Sequence, residues 1–294
     1  QILGEMDDLN LGVLVNLSGG SGARLRQTVD TFRKAYPKRF AVFANLDFDG
    51  INAPDWGEKA AAQLAQDVKY GAQGLKFFKN FGMDVAAGGK RVPVDDPKLD
   101  PVFEVCAREG IPVLIHVAEP AQFFEPHDKY NERWLELKLR PGRKRPPEPS
   151  FETLIAERDR LVKRHPKVNF IYAHMGWHGN DLQRLGKLFD DNPNLFVDVA
   201  AVLYELGRVP HSGRAFMIKY ADRILFGKDS YRPEEFPYYW RVFETKDEYF
   251  DYYRRYHAHW QLYGLDLPDD VLKKLYHKNA LRLIPGIDPS IFPE

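Results

Sequence analysis

The chain is nearly devoid of cysteine: one residue, Cys106, stands among 294, which excludes an intrachain disulfide and suits a reducing compartment. That cysteine lies in a helical pattern, Asp100-Pro-Val-Phe-Glu-Val-Cys-Ala-Arg-Glu, and reads as a small core residue rather than a nucleophile. Charge of one sign is lacking as well. Lys+Arg and Asp+Glu balance at 42 each, so no global field draws the chain to nucleic acid or an acidic membrane. No apolar run approaches the ~18 residues of a membrane span. The start, Gln1-Ile-Leu-Gly-Glu-Met-Asp-Asp-Leu-Asn, shows no initiator methionine and reads as the end of a helix, so the sequence is expected to begin inside a domain, with a leader upstream left open. The charge balance leaves a small molecule as the expected partner, and the lone cysteine suits the cytoplasm as the expected compartment.

What the sequence has is rhythm. Apolar segments of strand length recur, and each is followed by a helical pattern. The strands are expected at 11–17, 40–46, 73–78, 113–116, 168–173, 195–200 and 224–227. Helices are expected near 23–35, 55–70, 97–109, 151–164, 181–190, 213–220 and 269–283. Punctuation agrees: Asp96-Pro97 and Ser150 stand where helix N-caps are wanted, and Gly71 and Gly110 where helices should end. Seven strand-helix units in one uninterrupted chain predict an α/β fold, a (β/α)8 TIM barrel, as a single domain over 1–294. Its first strand is expected upstream of Gln1. The alternative is an open, doubly wound sheet. Two insertions, at about 117–149 and 230–268, follow strands on the side where barrels build their active sites.

Three of the strands end in residues that ligate metals: Pro112-Val-Leu-Ile-His116, Val168-Asn-Phe-Ile-Tyr-Ala-His174 and Arg223-Ile-Leu-Phe-Gly-Lys-Asp229. Parallel strands bring those ends to one mouth. Imidazole and carboxylate there suit a catalytic divalent ion with an open position, zinc before manganese or magnesium. Lys76, Asn16 and Asn45 also stand at or near strand ends, and His178 lies on a loop over the mouth. All four are substrate-binding candidates beside a role in holding loops or solvent. Asp198 divides evenly between a structural and a catalytic part.

The strand-end residues, with Ala173-His-Met-Gly176, Asn194-Leu-Phe-Val-Asp198 and Asn279-Ala-Leu-Arg-Leu-Ile284, resemble the amidohydrolase superfamily, in particular its family 2. That branch contains metal-dependent barrel hydrolases and non-oxidative decarboxylases. The resemblance implies a metal ligand at His116, a ligand or base at His174, and a ligand or proton-transfer carboxylate at Asp229. Two features depart from it. The family's first-strand His-x-His pair has no counterpart upstream of Leu11, and His257-Ala-His259 has those letters in a segment that reads as helical. Lys228 also replaces the small hydroxyl residue usual before the aspartate.

The remaining signals are weaker. Gly19-Gly-Ser-Gly22 reads as a tight turn before an anion cradle, because it lacks the following Lys-Ser/Thr. Lys138-Leu-Arg-Pro-Gly-Arg-Lys-Arg145 reads as a solvated loop before a clamp for an acidic substrate. The aromatic Pro237-Tyr-Tyr-Trp-Arg and Tyr249-Phe-Asp-Tyr-Tyr segments suit packing of the last insertion and also a homo-oligomer interface. The leading expectation is a hydrolase that attacks a small carboxylate, lactone or amide with a metal-bound water. A decarboxylase on the same scaffold comes second, and a catalytically inactive binding barrel is the alternative from another class.

Overall fold

A computed structural model describes residues 1–293. Helix Ile2–Asp8 leads into seven parallel strands in chain order. They are β1 Leu14–Asn16, β2 Phe40–Val42 continued by Ala44–Asn45, β3 Leu75–Phe77, β4 Val113–Ile115, β5 Phe170–Tyr172, β6 Leu195–Asp198 and β7 Ile224–Leu225. Each pairs with its neighbour in sequence, through Leu14↔Phe40, Ala44↔Leu75, Leu75↔Val113, Val113↔Phe170, Phe170↔Leu195 and Ile224↔Val197. Among the described residues β1 and β7 do not pair with each other, so the strands form an arc of the barrel.

The two faces of the arc carry different cores, as the two-residue pleat requires. Outward positions such as Val42, Leu75, Phe77, Val113, Ile115, Phe170, Tyr172 and Val197 pack under helical stripes including Leu64, Val102, Phe103, Leu154, Leu161 and Leu185. Inward positions Val15, Ala41, Phe43, Leu114, Ile171, Phe196 and Leu225 form a second cluster, joined by Leu283 and Ile284 from the last helix. β3 offers only Gly74 and Lys76 inward. The ring of Phe43 takes the space that Gly74 leaves, and a Cβ there would stand 2.4 Å from it.

Local signals in the sequence set the helix limits. Helix Phe151–Arg164 starts where Ser150 accepts a hydrogen bond from the Thr153 amide at 3.1 Å. The short turn before helix Asp100–Glu109 starts where Asp96 accepts from the Lys98 amide at 2.9 Å, and that helix ends on Gly110 at φ 65°. Asn279 then ties the final helices to the sheet, donating to the carbonyls of Ala221 and Ile224 at 2.7 and 2.8 Å. No helix among the described residues is long and apolar enough to cross a membrane.

Because Phe43 is fully buried at the centre of the inner cluster, Phe43→Ala is expected to cost about 3–5 kcal/mol of stability. Urea unfolding checks this. A loss below about 1 kcal/mol would mean that the inner layer collapses around the cavity.

Candidate active site

The inner face changes character along each strand. The pleat that turns Leu114 inward does the same for His116, two residues on. It likewise carries Phe196 to Asp198, Phe43 to Asn45 and Gly74 to Lys76. An apolar layer therefore lies beneath a polar one at the C-terminal mouth. His116 keeps a little exposed area, but its Nε2 is shielded and has no hydrogen-bond partner. Burial, reinforced by the adjoining His174 and the charges of Lys76 and Lys79, holds this imidazole well below its ordinary pKa. It is neutral, with a lone pair to offer.

His174 reaches the mouth by another route. Ala173 belongs to the inner cluster, so on an unbroken strand the next residue would point outward. The strand breaks instead into four left-handed residues: His174 (φ 58°), Met175 (φ 52°), Gly176 (φ 61°) and Trp177 (φ 62°). Left-handed backbone costs about 1–2 kcal/mol for each residue bearing a Cβ. Asp198 helps to hold the turn, accepting from the His174 amide at 2.9 Å, and Arg158 donates to the Gly176 carbonyl at 2.9 Å. The turn stacks the Trp177 ring on His174 at 4.6 Å, and it sets His116 edge-on to His174 at 4.6 Å.

His174 Nδ1 lies 2.7 Å from the Ala200 carbonyl. A carbonyl only accepts, so Nδ1 carries the proton and, in the neutral ring, Nε2 presents a lone pair. That nitrogen faces Asp229 Oδ1 at 3.7 Å. Two acceptors thus look at each other across a space that a proton or a metal ion would fill.

Asp229 is half exposed, and its neighbour Lys228 turns away from the site. Lys228 Nζ is buried, paired with Glu235 and 4.9 Å from the centre of the Tyr239 ring, so its ammonium points away from the site while still feeling the Asp229 charge.

The two insertions roof this mouth and frame an open cleft. From the first come Glu119, Phe123, Arg133, Glu136 and Arg143, and from the second Arg254 and His257. Glu136 is fully buried. Its burial would raise the carboxyl, but the hydrogen bond to His257 and the Arg133 charge outweigh that and hold it down at about 2. Arg133 donates to it through Nε at 2.7 Å, and Arg143 pairs with its other oxygen.

The sequence gives little sign of this cluster, whose members come from two insertions, with Glu136 on the short helix Trp134–Leu139 and His257 in a segment of turns. The segment around His257 is turns and bends rather than the expected helix, and that brings His257 into the cleft while His259 stays out of its lining. Of the basic stretch 138–145, Arg143 lines the cleft and Arg145 pairs with Glu119 at 2.8 Å. Most of the aromatic residues in the last insertion pack it: Tyr239 and Tyr252 are buried, whereas Tyr249 is exposed.

Other sequence candidates are placed elsewhere. Asn16 caps its own loop, accepting from the Ser18 amide at 2.8 Å. Asn45 is consumed by backbone, accepting from the Gly20 amide at 2.8 Å and donating to the Leu17 carbonyl at 2.9 Å. His178 is buried beside Arg158, outside the cleft lining, and that burial with the arginine charge pushes its pKa down to about 2. The glycine loop is a turn, not an anion cradle. The amides of Gly19, Gly20 and Gly22 go to Phe43, Asn45 and Asp67, and a Cβ at Gly19 would meet the Phe43 carbonyl at 2.3 Å. Lys76 lies under the site rather than in its lining, close enough to feel the charges of Asp198 and Asp229.

Among the described residues no group of three or more His, Cys, Asp or Glu side chains is spaced to hold a metal. What converges is a partial set of donors: the orphaned His116 Nε2, the Asp229 carboxylate and His174 between them. Neutral imidazole and carboxylate are the donors a divalent ion takes, and they fit one as far as they go.

Burial pulls the Lys76 ammonium from its ordinary 10.5 to about 8, against the charges of Asp198 and Asp229. The unfolded chain keeps a proton there that the folded chain has released, so stability rises as pH climbs between these two values. The shift corresponds to roughly 3 kcal/mol. Lys76→Met is expected to abolish that rise, read as the unfolding free energy at about pH 7.5 and pH 10 in both proteins. Parallel pH dependences would show that Lys76 titrates normally.

A family description, Amidohydrolase, matches residues 21–286. No protein of curated function matches the sequence significantly. Among solved structures, the chain is similar to an uncharacterized TIM-barrel protein from Bordetella bronchiseptica, at 19% identity and TM-score 0.58, covering 97% of this chain and 82% of that one. It is similar to 2,6-dihydroxybenzoate decarboxylase complexed with 2,6-dihydroxybenzoate, at 16% identity and TM-score 0.62, covering 96% and 86%. A third is 5-carboxyvanillate decarboxylase from Novosphingobium aromaticivorans, complexed with manganese and a nitrobenzoic acid, at 16% identity and TM-score 0.58, covering 96% and 78%. At such identities these structures establish the fold, an α/β TIM barrel. With a family match over most of its length, the chain belongs to the amidohydrolase family of metal-dependent barrel enzymes.

Proposed function

We propose that this enzyme removes a carboxyl group, without oxidation, from a small planar carboxylic acid. The observation that carries the reading is the His174–Asp229 pair, two acceptors at 3.7 Å beside an orphaned imidazole nitrogen, at the floor of a cleft walled by Trp177, Phe123 and Tyr204. Aromatic walls suit a flat substrate. The cationic side chains Lys79, Arg133, Arg143 and Arg254 suit an anion. The decarboxylases of aromatic acids among the similar structures support the same reading.

His116 Nε2 and the Asp229 carboxylate would hold the divalent ion, zinc or manganese by donor type. When bound, that ion supplies an electrophilic anchor for a substrate carboxylate or hydroxyl oxygen. The protein's own part is the proton. The Ala200 carbonyl fixes His174 with its lone pair toward Asp229, so a proton taken up there is shared between Nε2 and the carboxylate. As the carbon–carboxyl bond breaks, carbon dioxide leaves and its bonding pair stays on the substrate carbon. That carbon takes the shared proton, and the half-exposed Asp229 recovers another from water.

Hydrolysis is the second reading, favoured by that same exposure of Asp229, which admits water to the site.

Metal content and product analysis test both readings. His116→Ala and Asp229→Asn are each expected to lower bound zinc or manganese. Metal unchanged in both would remove them as ligands. His174→Asn should retain metal while slowing turnover about 10²-fold or more. Over a panel of hydroxybenzoates and their lactones and esters, carbon dioxide release supports decarboxylation. Cleavage without carbon dioxide makes the enzyme a hydrolase.

A further inference from the structure

A smaller pocket beside the cleft takes no part in the proposed chemistry. Pro120, Trp177 and Tyr204 line both spaces, so the two share a wall. The small pocket is closed by Gln122 from the first insertion, by Asn180 after β5, and by Glu205 from the short helix Leu203–Leu206. Gly179 lets Glu205 approach, since a Cβ there would stand 3.0 Å from the Glu205 Cβ.

Two polar atoms of these lining residues are shielded from water and lack an aligned hydrogen-bond partner. One is the donor Trp177 Nε1–H, and the other is the acceptor Glu205 Oε2. Trp177 is held left-handed at φ 62°, a rare conformation for so bulky a residue. Its stacking on His174 uses the face of the ring and asks nothing of the indole nitrogen. Arg208 Nη2 stands 2.7 Å from Glu205 Oε2, but its approach is not aligned. The same guanidinium is already bonded to Glu132, at 3.0 and 3.2 Å. A carboxylate oxygen has two lone pairs, so Oε2 can still accept. Burial pushes the Glu205 carboxyl up to about 7, as suits an anion short of donors.

Donor and acceptor together select the ligand. A carboxylate could accept from the indole but would bring Glu205 no proton. An ammonium could donate to Glu205 but offers the indole no acceptor. A hydroxyl does both, and it is the smallest group that can. Charge agrees, because Glu132 and Glu205 share one guanidinium and leave no surplus of positive charge to draw an anion.

We infer that Trp177 and Glu205 are specificity-determining residues, whose pocket takes a hydroxyl of the substrate away from the His116–Asp229 end. The hydroxyl accepts from Trp177 Nε1 and donates to Glu205 Oε2, while the ring that carries it stays in the cleft. This rests on the reading of the cleft as a carboxylic-acid site, but it does not depend on which reaction occurs there. Trp177 then has two tasks: its face covers His174 and its edge selects the substituent.

Calorimetric titration of the metal-loaded protein tests the pocket, at about pH 8 so that Glu205 is ionised. The ligands are meta- and para-hydroxybenzoate against meta- and para-toluate, whose methyl group matches a hydroxyl in size but neither donates nor accepts. At least one hydroxy acid is expected to bind about tenfold or more tighter than its methyl counterpart. Trp177→Phe keeps a ring over His174 and removes the N–H. Glu205→Met keeps the volume and removes the acceptor, while Glu132 still pairs with Arg208. Either should cut the hydroxyl advantage to about twofold or less, whereas a merely structural role would weaken both acids alike. Glu205→Gln keeps a carbonyl acceptor and should retain most of the advantage. Phenol against toluene separates the pocket from the acid reading. A preference for phenol that both substitutions remove upholds the pocket even if the benzoates fail to bind. No hydroxyl preference in either series, or one that survives both Trp177→Phe and Glu205→Met, would overturn the proposal.

Discussion

The site depends on the two-residue pleat of parallel strands in a barrel arc. One face of each strand is committed to the helices, so every second residue must meet its counterparts from the other strands. Low on the arc those counterparts are Val15, Ala41, Phe43, Leu114, Ile171, Phe196 and Leu225, which exclude water and fix the spacing. One step higher, the same constraint brings Lys76, His116 and Asp198 together without any of them being near another in the chain. The apolar layer is thus the floor on which the polar layer is positioned.

His174 is where that constraint is broken. A regular strand would bury it among the helices, and four consecutive left-handed residues swing it into the mouth instead. The strain persists because Asp198 and Arg158 grip the turn from two sides, and because Trp177 closes over the imidazole it delivers. Asp198 thereby acts through His174, as a positioning residue. Strained backbone that its surroundings over-determine is a common mark of a working site.

The roof obeys different physics. Insertions after β4 and β7 are free of the pleat, and charge organises them. Buried carboxylates, each bridging two cations, tie residues such as Glu136, Arg143 and His257 across loops with little regular structure. Low dielectric makes those pairs strong and any unpaired donor expensive. The same region therefore holds the cleft open and defines its appetite for anions.

Much of this was legible before folding was considered. Strand and helix order, the caps at Ser150 and Asp96, the ends at Gly71 and Gly110, and the strand-end placement of His116, His174 and Asp229 follow from local pattern and backbone preference. So does the fold class, because alternation of strand and helix leaves few ways to bury both faces of a sheet. What the chain alone could not reveal is where side chains point once regular backbone ends. Asn16 and Asn45 turned to backbone, His178 was buried beside Arg158, and Lys228 swung away toward Glu235. His257 entered the cleft from a segment that its pattern assigns to a helix. Periodicity determines direction only where the backbone is periodic. Beyond that, packing and the pairing of buried charge decide, and both are properties of residues brought together from distant parts of the chain.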